Sequence, residues 1–516
     1  MVTACHFECQ RSLSSQTERR RAAFAYRHVL LGNGQSMADE RREWLKAIAD
    51  WKLEAADEDN DRYFYGMPGV SSVQSGESSY VIGRKGSGKT AVAEHIKGLT
   101  GPKIFVRSLS FKSFPFNELY RLNDTSFTSP SQYTTIWKYI IYSSICSMMS
   151  TNASIDSGIT AEIAKHFSID VERALARSIS KVSDLSGGFT LFGSGANAAS
   201  KSVTVANDAT WQERAQILED IILEYVDNCE YYILFDELDE DYKDLFETEM
   251  SKQYIDLLIG LFKAVHDVRR KMRRGSRIKP IVFLRSDIYD LLKDNDKNKW
   301  RDSALTLSWS EAGLRDLTAF RLSRAKTRGG NIQSFNFLID ELFTTDTTRA
   351  GGARRQRHVF AYVLGHTLFR PRDVISYLRE CARFALANGS GKISPNKFSE
   401  VNRAYSVRLR QEFVDEIGGV IPNIETIFDI LSLMRKQIFV FSEFRQRFDV
   451  AVSGKEIDMP INFETICKVL FHYSVIGNQP SQRSAKIFQY SYPNARLNFQ
   501  ERAVIHKGLL QSLQIN

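Results

Sequence analysis

The stretch richest in chemistry is residues 83–90, Gly83-Arg84-Lys85-Gly86-Ser87-Gly88-Lys89-Thr90. Its spacing is that of a phosphate-binding loop, G-x-x-x-x-G-K-[ST]. Glycines let the backbone curl until its N–H groups point inward at phosphate oxygens, an approach that side chains would block. A helix beginning near Lys89 adds its positive end at the same point. The Lys89 ammonium then reaches the β- and γ-phosphates, and the Thr90 hydroxyl reaches a Mg²⁺ ion. The eight loop residues and Ala91 are the expected nucleotide contacts.

Such a site needs carboxylates, and "EYYILFDELDEDYKDLFE" (230–247) supplies them. Tyr231 to Phe235 is a short apolar run suited to a buried parallel strand. Asp236 is the first polar residue beyond it, at the carboxyl end, where open α/β sheets bind ligands. Asp236 is therefore expected, with Thr90, in the Mg²⁺ shell, and Glu237 is expected to polarise the attacking water. The neighbouring acids Asp239, Glu240 and Asp241 compete for these roles. The chemistry would be attack of water on a γ-phosphate, with Lys89 and Mg²⁺ absorbing the developing charge.

A third strand end carries charge as well. "PIVFL" (280–284) is followed at once by Arg285, Ser286 and Asp287. In this architecture Arg285 lies beside the γ-phosphate and senses it by charge-assisted hydrogen bonding. A plain helix cap at Ser286-Asp287, with Arg285 salt-bridged nearby, is the alternative.

These residues need a sheet to hold them. "SYVI" leads into the loop, and "TAVAEHIKGL" continues from it with apolar residues at helical spacing. "KIFV" (103–106) and "LTLSW" (305–309) complete a five-stranded α/β core.

"GRKGSGKT", "ILFDELDE", "VFLRSD" and "FRPRD", in this order, resemble AAA+/STAND-related P-loop ATPases. The similarity is closest to stand-alone bacterial ATPases of mobile-element and defence loci, and it covers roughly residues 60–516. It implies a parallel-sheet P-loop core of the additional-strand type, a helical lid and a C-terminal winged-helix domain. It implies ATP as the ligand, assembly into homo-oligomers, and a setting in anti-phage defence. Arg285 matches the sensor position of the fourth strand. Arg370 and Arg372, in Arg370-Pro371-Arg372-Asp373, match the lid motif that touches nucleotide. The chain between Lys89 and Asp236 is longer than a compact core needs, so an insertion is expected at about 145–210.

The organisation expected is then a disordered extension over 1–36, an ATPase core over 37–310, a lid over 311–420 and a winged-helix-like domain over 421–516. Within the insertion, "FTLF" and "SVTV" flank a Gly/Ala/Ser-rich tip and read as a hairpin or loop. "HVFAYVLGHTLFRPRDVISYLRECARFALANGSG" (358–391) reads as two helices hinged at Pro371. In the last segment "KIFQYSY" (486–492) alternates and suits a wing strand. The candidate reading helix, 462–473, is mostly apolar and offers only Lys468 and His472. A protein contact or lid role is favoured for this domain over DNA.

The chain has 516 residues and a net charge of +8, ordinary for a globular protein of two or three domains. Nucleic-acid contact stays open at the basic run 268–279 and at Arg483 and Lys486, without being favoured; a second basic group, 349–358, reads as a loop feeding a helix, from which an arginine would reach a neighbouring subunit's γ-phosphate. No segment reaches the ~18 apolar residues of a spanning helix. The cysteines are mostly far apart, and Cys146, Cys229, Cys381 and Cys467 sit in apolar surroundings, as in a cytoplasmic protein with reduced thiols. "CHFEC" (5–9) has no second ligand cluster, so metal binding is not expected there. The function expected is an ATP-dependent, Mg²⁺-requiring conformational switch. Two further readings are a nucleotide-gated DNA- or RNA-binding module that barely hydrolyses, and a sensor that recruits a separately encoded effector.

Overall fold

The structure, a computed structural model, describes residues 39–110, 131–166, 188–191, 201–204, 210–239, 249–272, 277–348, 356–457, 462–480 and 485–515. The extension over 1–36 and the "CHFEC" stretch lie outside the described residues.

The first seven strands are β1 (Tyr80–Gly83), β2 (Ile104–Ser110), β3 (Gly188–Leu191), β4 (Lys201–Thr204), β5 (Glu230–Asp236), β6 (Arg277–Arg285) and β7 (Ala304–Leu307). Five of them form one sheet in the order β2-β5-β6-β1-β7, and every neighbouring pair is parallel. β6 thus stands between the loop-bearing strand β1 and the acidic strand β5. β3 and β4 pair antiparallel with each other, so the insertion does carry a hairpin.

Both faces of the sheet are buried, which is why its strands read as unbroken apolar runs. Tyr80, Ile82, Ile233, Phe235, Val282 and Leu284 point to one face. There they pack against α2 (Thr134–Met149), α3 (Trp211–Tyr225) and α4 (Glu249–Lys271), which follow α1 (Lys89–Lys97) in the chain. Val81, Tyr232, Leu234, Ile281 and Phe283 point to the other face, against Val92, Ala93 and Ile96 of α1. Two buried aromatics on this face have their polar tips satisfied: the Tyr80 hydroxyl donates to the Phe262 carbonyl at 2.9 Å, and Trp137 Nε1 to the Leu257 carbonyl at 2.9 Å.

Beyond the sheet the chain is largely helical. α5 (Glu311–Lys326), α6 (Phe335–Leu342), a short β8 (Thr347–Thr348) and β9 (Arg357–His358) pair, α7 (Val359–Leu364), α8 (Pro371–Ala387) and α9 (Phe398–Ile417) come first. Pro371 sits in the first turn of α8, where its missing N–H costs nothing, and Gly389 follows the helix with φ +66°. Then come α10 (Ile424–Leu433), β10 (Ile438–Phe439), α11 (Phe441–Ser453), α12 (Phe463–His472), β11 (Ile476–Gln479) and β12 (Arg502–Ile505). The last three strands form an antiparallel sheet in the order β10-β12-β11. These helices and strands share one hydrophobic core with α5–α9 and with the buried face of the helix over residues 39–49 (Trp44, Leu45, Ile48). The boundary near residue 420 is therefore not a break in packing.

One expectation needs correction. "KIFQYSY" forms no strand: only Ile487 bridges to Asn478, and the chain then turns, with Ser491 N and Tyr492 N both bonding the Phe488 carbonyl. Pro493 stands just beyond and cannot donate to a ladder. The basic run that begins at the end of α4 stands away from Asp236. Parallel pairing sets it at the opposite ends of the strands, where Lys271 meets Glu219 while Arg277 and Lys279 meet Glu230.

Cys146, Cys229, Cys381 and Cys467 are buried free thiols. Among the described residues no helix is long and apolar enough to cross a membrane.

Candidate functional site

β1 ends at Gly83, and the chain turns through residues 84–88 into α1. Gly86 and Gly88 have φ of +77° and +104°, a region that side chains strain to occupy. A Cβ on Gly88 would meet nothing within 4 Å, so the loop is concave and open at that point. The Ser87 hydroxyl is buried and meets no partner among the described residues, while the Ser87 carbonyl accepts from Trp309 Nε1 at 2.9 Å. Lys89 Nζ donates to the carbonyls of Gly83 (3.1 Å) and Arg84 (3.3 Å), which closes the loop on itself. Burial pushes the Lys89 ammonium pKa down, and the Asp239 and Asp236 carboxylates oppose that fall.

The acidic strand delivers its end to the same place. Asp236, 8% exposed, accepts from the Glu237 N–H at 2.9 Å. Burial raises its carboxyl pKa to about 6, against the pull of that hydrogen bond and of Lys89. Glu237 follows with φ +59°, a strained conformation for a residue with a side chain. Its carboxylate accepts a short hydrogen bond from the Ser110 hydroxyl at the end of β2. Sequence reasoning did not find Ser110, because the strand was read only as far as Val106. The signal was available: β2 runs beside β5, and Ser110 pairs directly with Asp236.

A cavity of about 240 Å³ lies over these groups. Lys85, Gly86, Ser87, Gly88, Lys89, Thr90 and Ala91 line it, with Asp236, Glu237 and Arg372. Its far wall comes from residues 52–67 and from Leu317 and Arg321 of α5. Arg321 is itself held by Glu58 and lies 4.8 Å over the Trp51 ring centroid. Nothing in the motif search pointed to this wall, since it has no spacing rule.

The remaining expected residues sit elsewhere. Gly83, Arg84 and Arg370 line a second cavity, of about 490 Å³, on the other side of the loop. Arg370, 4% exposed, pairs with Asp373 (2.8 Å) and Glu412 (3.3 Å) and donates to the Lys85 carbonyl at 3.2 Å. Arg372 turns the other way, into the first cavity, and pairs with Glu54 at 2.8 Å. Arg285 lines neither cavity. Its guanidinium is held by Asp287 (Nε–Oδ1 3.1 Å), with Asp239 and Glu416 each at 3.7 Å and the Tyr473 hydroxyl at 3.5 Å. Burial alone would depress the Arg285 pKa, but Asp287 and Glu416 raise it.

These residues fit a triphosphate with its metal. The loop supplies the orphan Ser87 hydroxyl and the Lys89 ammonium at the start of a helix. Thr90 and Asp236 both line the same cavity. Among the described residues no group of three or more His, Cys, Asp or Glu side chains is placed to hold an ion by itself. A Mg²⁺ ion here would depend on phosphate oxygens and water for the rest of its shell.

Residues 312–414, from α5 into α9, match a family described as the FunZ-associated C-terminal helical domain. No curated protein matches the sequence. Among solved structures, the ORC2 protein of Aeropyrum pernix is similar over 86% of this chain and 89% of its own, at 13% identity and a TM-score of 0.41. The Aeropyrum pernix ORC1 protein, solved in complex with DNA, is similar over 86% and 89%, at 11% identity and a TM-score of 0.35. Cdc6p of Pyrobaculum aerophilum is similar over 84% and 86%, at 11% identity and a TM-score of 0.27. These likenesses are distant. The parallel sheet flanked by helices is that of a P-loop NTPase-like fold on its own strand order.

Proposed function

We propose that the chain is a Mg²⁺-dependent ATPase that works as a conformational switch. One observation carries this reading: the glycine loop at the end of β1 and the acidic pair at the end of β5 open onto a single cavity, with β6 between their strands. The loop amides and Lys89 would bind the β- and γ-phosphates. Thr90 and Asp236 would hold Mg²⁺, which when bound neutralises phosphate charge. Glu237 would accept the proton of the attacking water, and Lys89 would stabilise charge that builds on the phosphate oxygens. Arg372, carried by α8, would bring the lid to the nucleotide.

Residues 424–505 run helix, strand, helix, helix, strand, strand, which we read as a winged-helix arrangement. The switch would act within a homo-oligomer in the cytoplasm and pass its state to a separately encoded effector. The setting in anti-phage defence rests on the sequence resemblance.

Calorimetry with ATP and a steady-state phosphate-release assay test the reading together. Lys89→Ala is expected to abolish nucleotide binding. Glu237→Gln is expected to keep binding and stall turnover. Unchanged hydrolysis in both purified variants would overturn the proposal.

A further inference from the structure

Three cations from three separate segments meet at the seam between the helical region and the C-terminal sheet. They are Arg357 of β9, Lys486, and Lys507 just past β12, close enough for their charges to act on one another. Lys507 Nζ lies 4.4 Å over the Tyr362 ring centroid, at the start of α7. Lys486 Nζ donates to Gln437 Oε1 at 3.0 Å. Arg357 and Lys486 are exposed, and Lys507 is half-buried.

No carboxylate answers this charge. Among the described residues none of the three has an ion-pair partner. Burial and Arg357 push the Lys486 pKa down, and burial with Arg357 and Lys486 pushes Lys507 down to about 8. The interior arginines behave differently: Arg285, Arg321 and Arg370 each have a carboxylate in contact. Like charges gathered without a counter-ion repel, so this patch gains wherever an anion reaches it.

We propose that this seam binds the phosphodiester backbone of a nucleic-acid strand. The patch is an open surface and not a closed pocket, and its cations are spread over two structural regions. Both features suit an extended polyanion over a compact phosphate ligand. Backbone contacts of this kind position a strand without reading its sequence. The candidate reading helix α12 takes little part: its exposed positions are Glu464, Lys468 and His472, so an acid stands beside its one lysine, and the rest is largely apolar core.

The test needs no nucleotide hydrolysis, so it stands or falls apart from the ATPase reading. Full-length protein is titrated into a fluorescein-labelled 20-base-pair duplex, and anisotropy is followed across a salt series. The Arg357→Ala/Lys486→Ala double variant is expected to bind about tenfold more weakly. It is also expected to flatten the slope of log K against log[salt] by about 1.8, the value for two lost phosphate contacts. Both sites are exposed, so an unchanged thermal melt verifies the fold. Lys468→Ala is expected to bind as the parent does. Absence of binding by the parent protein up to about 10 μM at low salt overturns the proposal. So does a double variant that binds like the parent, or a loss on Lys468→Ala equal to that of the double variant.

Discussion

The Ser110 hydroxyl hydrogen-bonds the Glu237 carboxylate, joining the ends of two neighbouring strands at a residue that lines the loop cavity. A hydrogen bond to a charged group is worth about 1.5–3 kcal/mol. This bond occupies one of the carboxylate's oxygens and ties it to the end of β2, so that oxygen is not free to receive a proton from water. Ser110→Ala is therefore expected to raise basal turnover by about three- to tenfold, with nucleotide affinity unchanged. Single-turnover phosphate release checks this. A fall in rate would mean that the hydroxyl holds Glu237 in its working position.

Asp236 carries a second prediction, which follows from its burial. Its carboxyl pKa rises from the ordinary 3.8 to about 6 in the folded chain. The folded state thus holds its proton more tightly than the unfolded chain does. Stability from this group is fully present below pH ~4 and is lost as pH rises through ~6. Asp236→Asn keeps an acceptor for the Glu237 N–H and removes the buried charge. At pH 7 it is expected to stabilise the protein by on the order of 2 kcal/mol, a gain that vanishes near pH 4. The same titration governs the metal: Mg²⁺ affinity of the parent protein is expected to fall about tenfold per pH unit below pH ~6. Thermal melts and Mg²⁺ titrations across pH 4–8 measure both effects.

The loop and acidic strand were legible in the sequence because short apolar runs ended in residues with one chemical use. The three central strands were found for the same reason, since burial on both faces leaves few polar positions to confuse the pattern; the edge strand β2, with Arg107, Ser108 and Ser110, was legible only in its first half. The far wall of the cavity was not legible. Residues 52–67 act there through packing against α1 and α5, and packing partners far apart in the chain leave no periodic mark. The arginines show the limit most clearly. Arg370 and Arg372 stand two residues apart in one motif, yet one turns behind the loop and the other faces the cavity. Their direction is decided by Asp373, Glu412 and Glu54, which lie on three different elements.

That divergence predicts different losses. Arg370→Ala strands Asp373 and Glu412 without their shared guanidinium in a buried setting. Breaking such a pair costs about 3–5 kcal/mol, so this variant is expected to melt well below the parent protein. Arg372 pairs with the largely exposed Glu54, and exposed pairs contribute about 0–1 kcal/mol. Arg372→Ala is expected to keep the parent's melting temperature and to bind ATP about tenfold more weakly, the loss of one charge-assisted contact. Melting curves beside calorimetric titrations separate the two. Equal stability losses in both variants would remove the distinction.

Arg84 links the loop to the C-terminal region. Its Nη2 donates to the Leu368 carbonyl at 2.6 Å, and its Cζ lies 5.8 Å over the Tyr490 ring centroid. Burial, aided by the nearby Arg370, pushes its pKa down to about 10, so it stays charged at neutral pH. The second residue of the phosphate loop is thus held by a side chain more than four hundred positions away in the chain. A stacked cation of this kind contributes about 0.5–2 kcal/mol. Whatever the loop gains from Tyr490 in binding phosphate, the C-terminal region must gain from phosphate in holding Tyr490, because coupling between sites is reciprocal. Tyr490→Ala is expected to weaken ATP binding about three- to tenfold without touching the nucleotide. Saturating ATP is expected to slow amide exchange over residues 485–495 in the parent protein and not in the variant. If ATP leaves that segment's exchange unchanged in the parent, the loop and the C-terminal region are neighbours without communication.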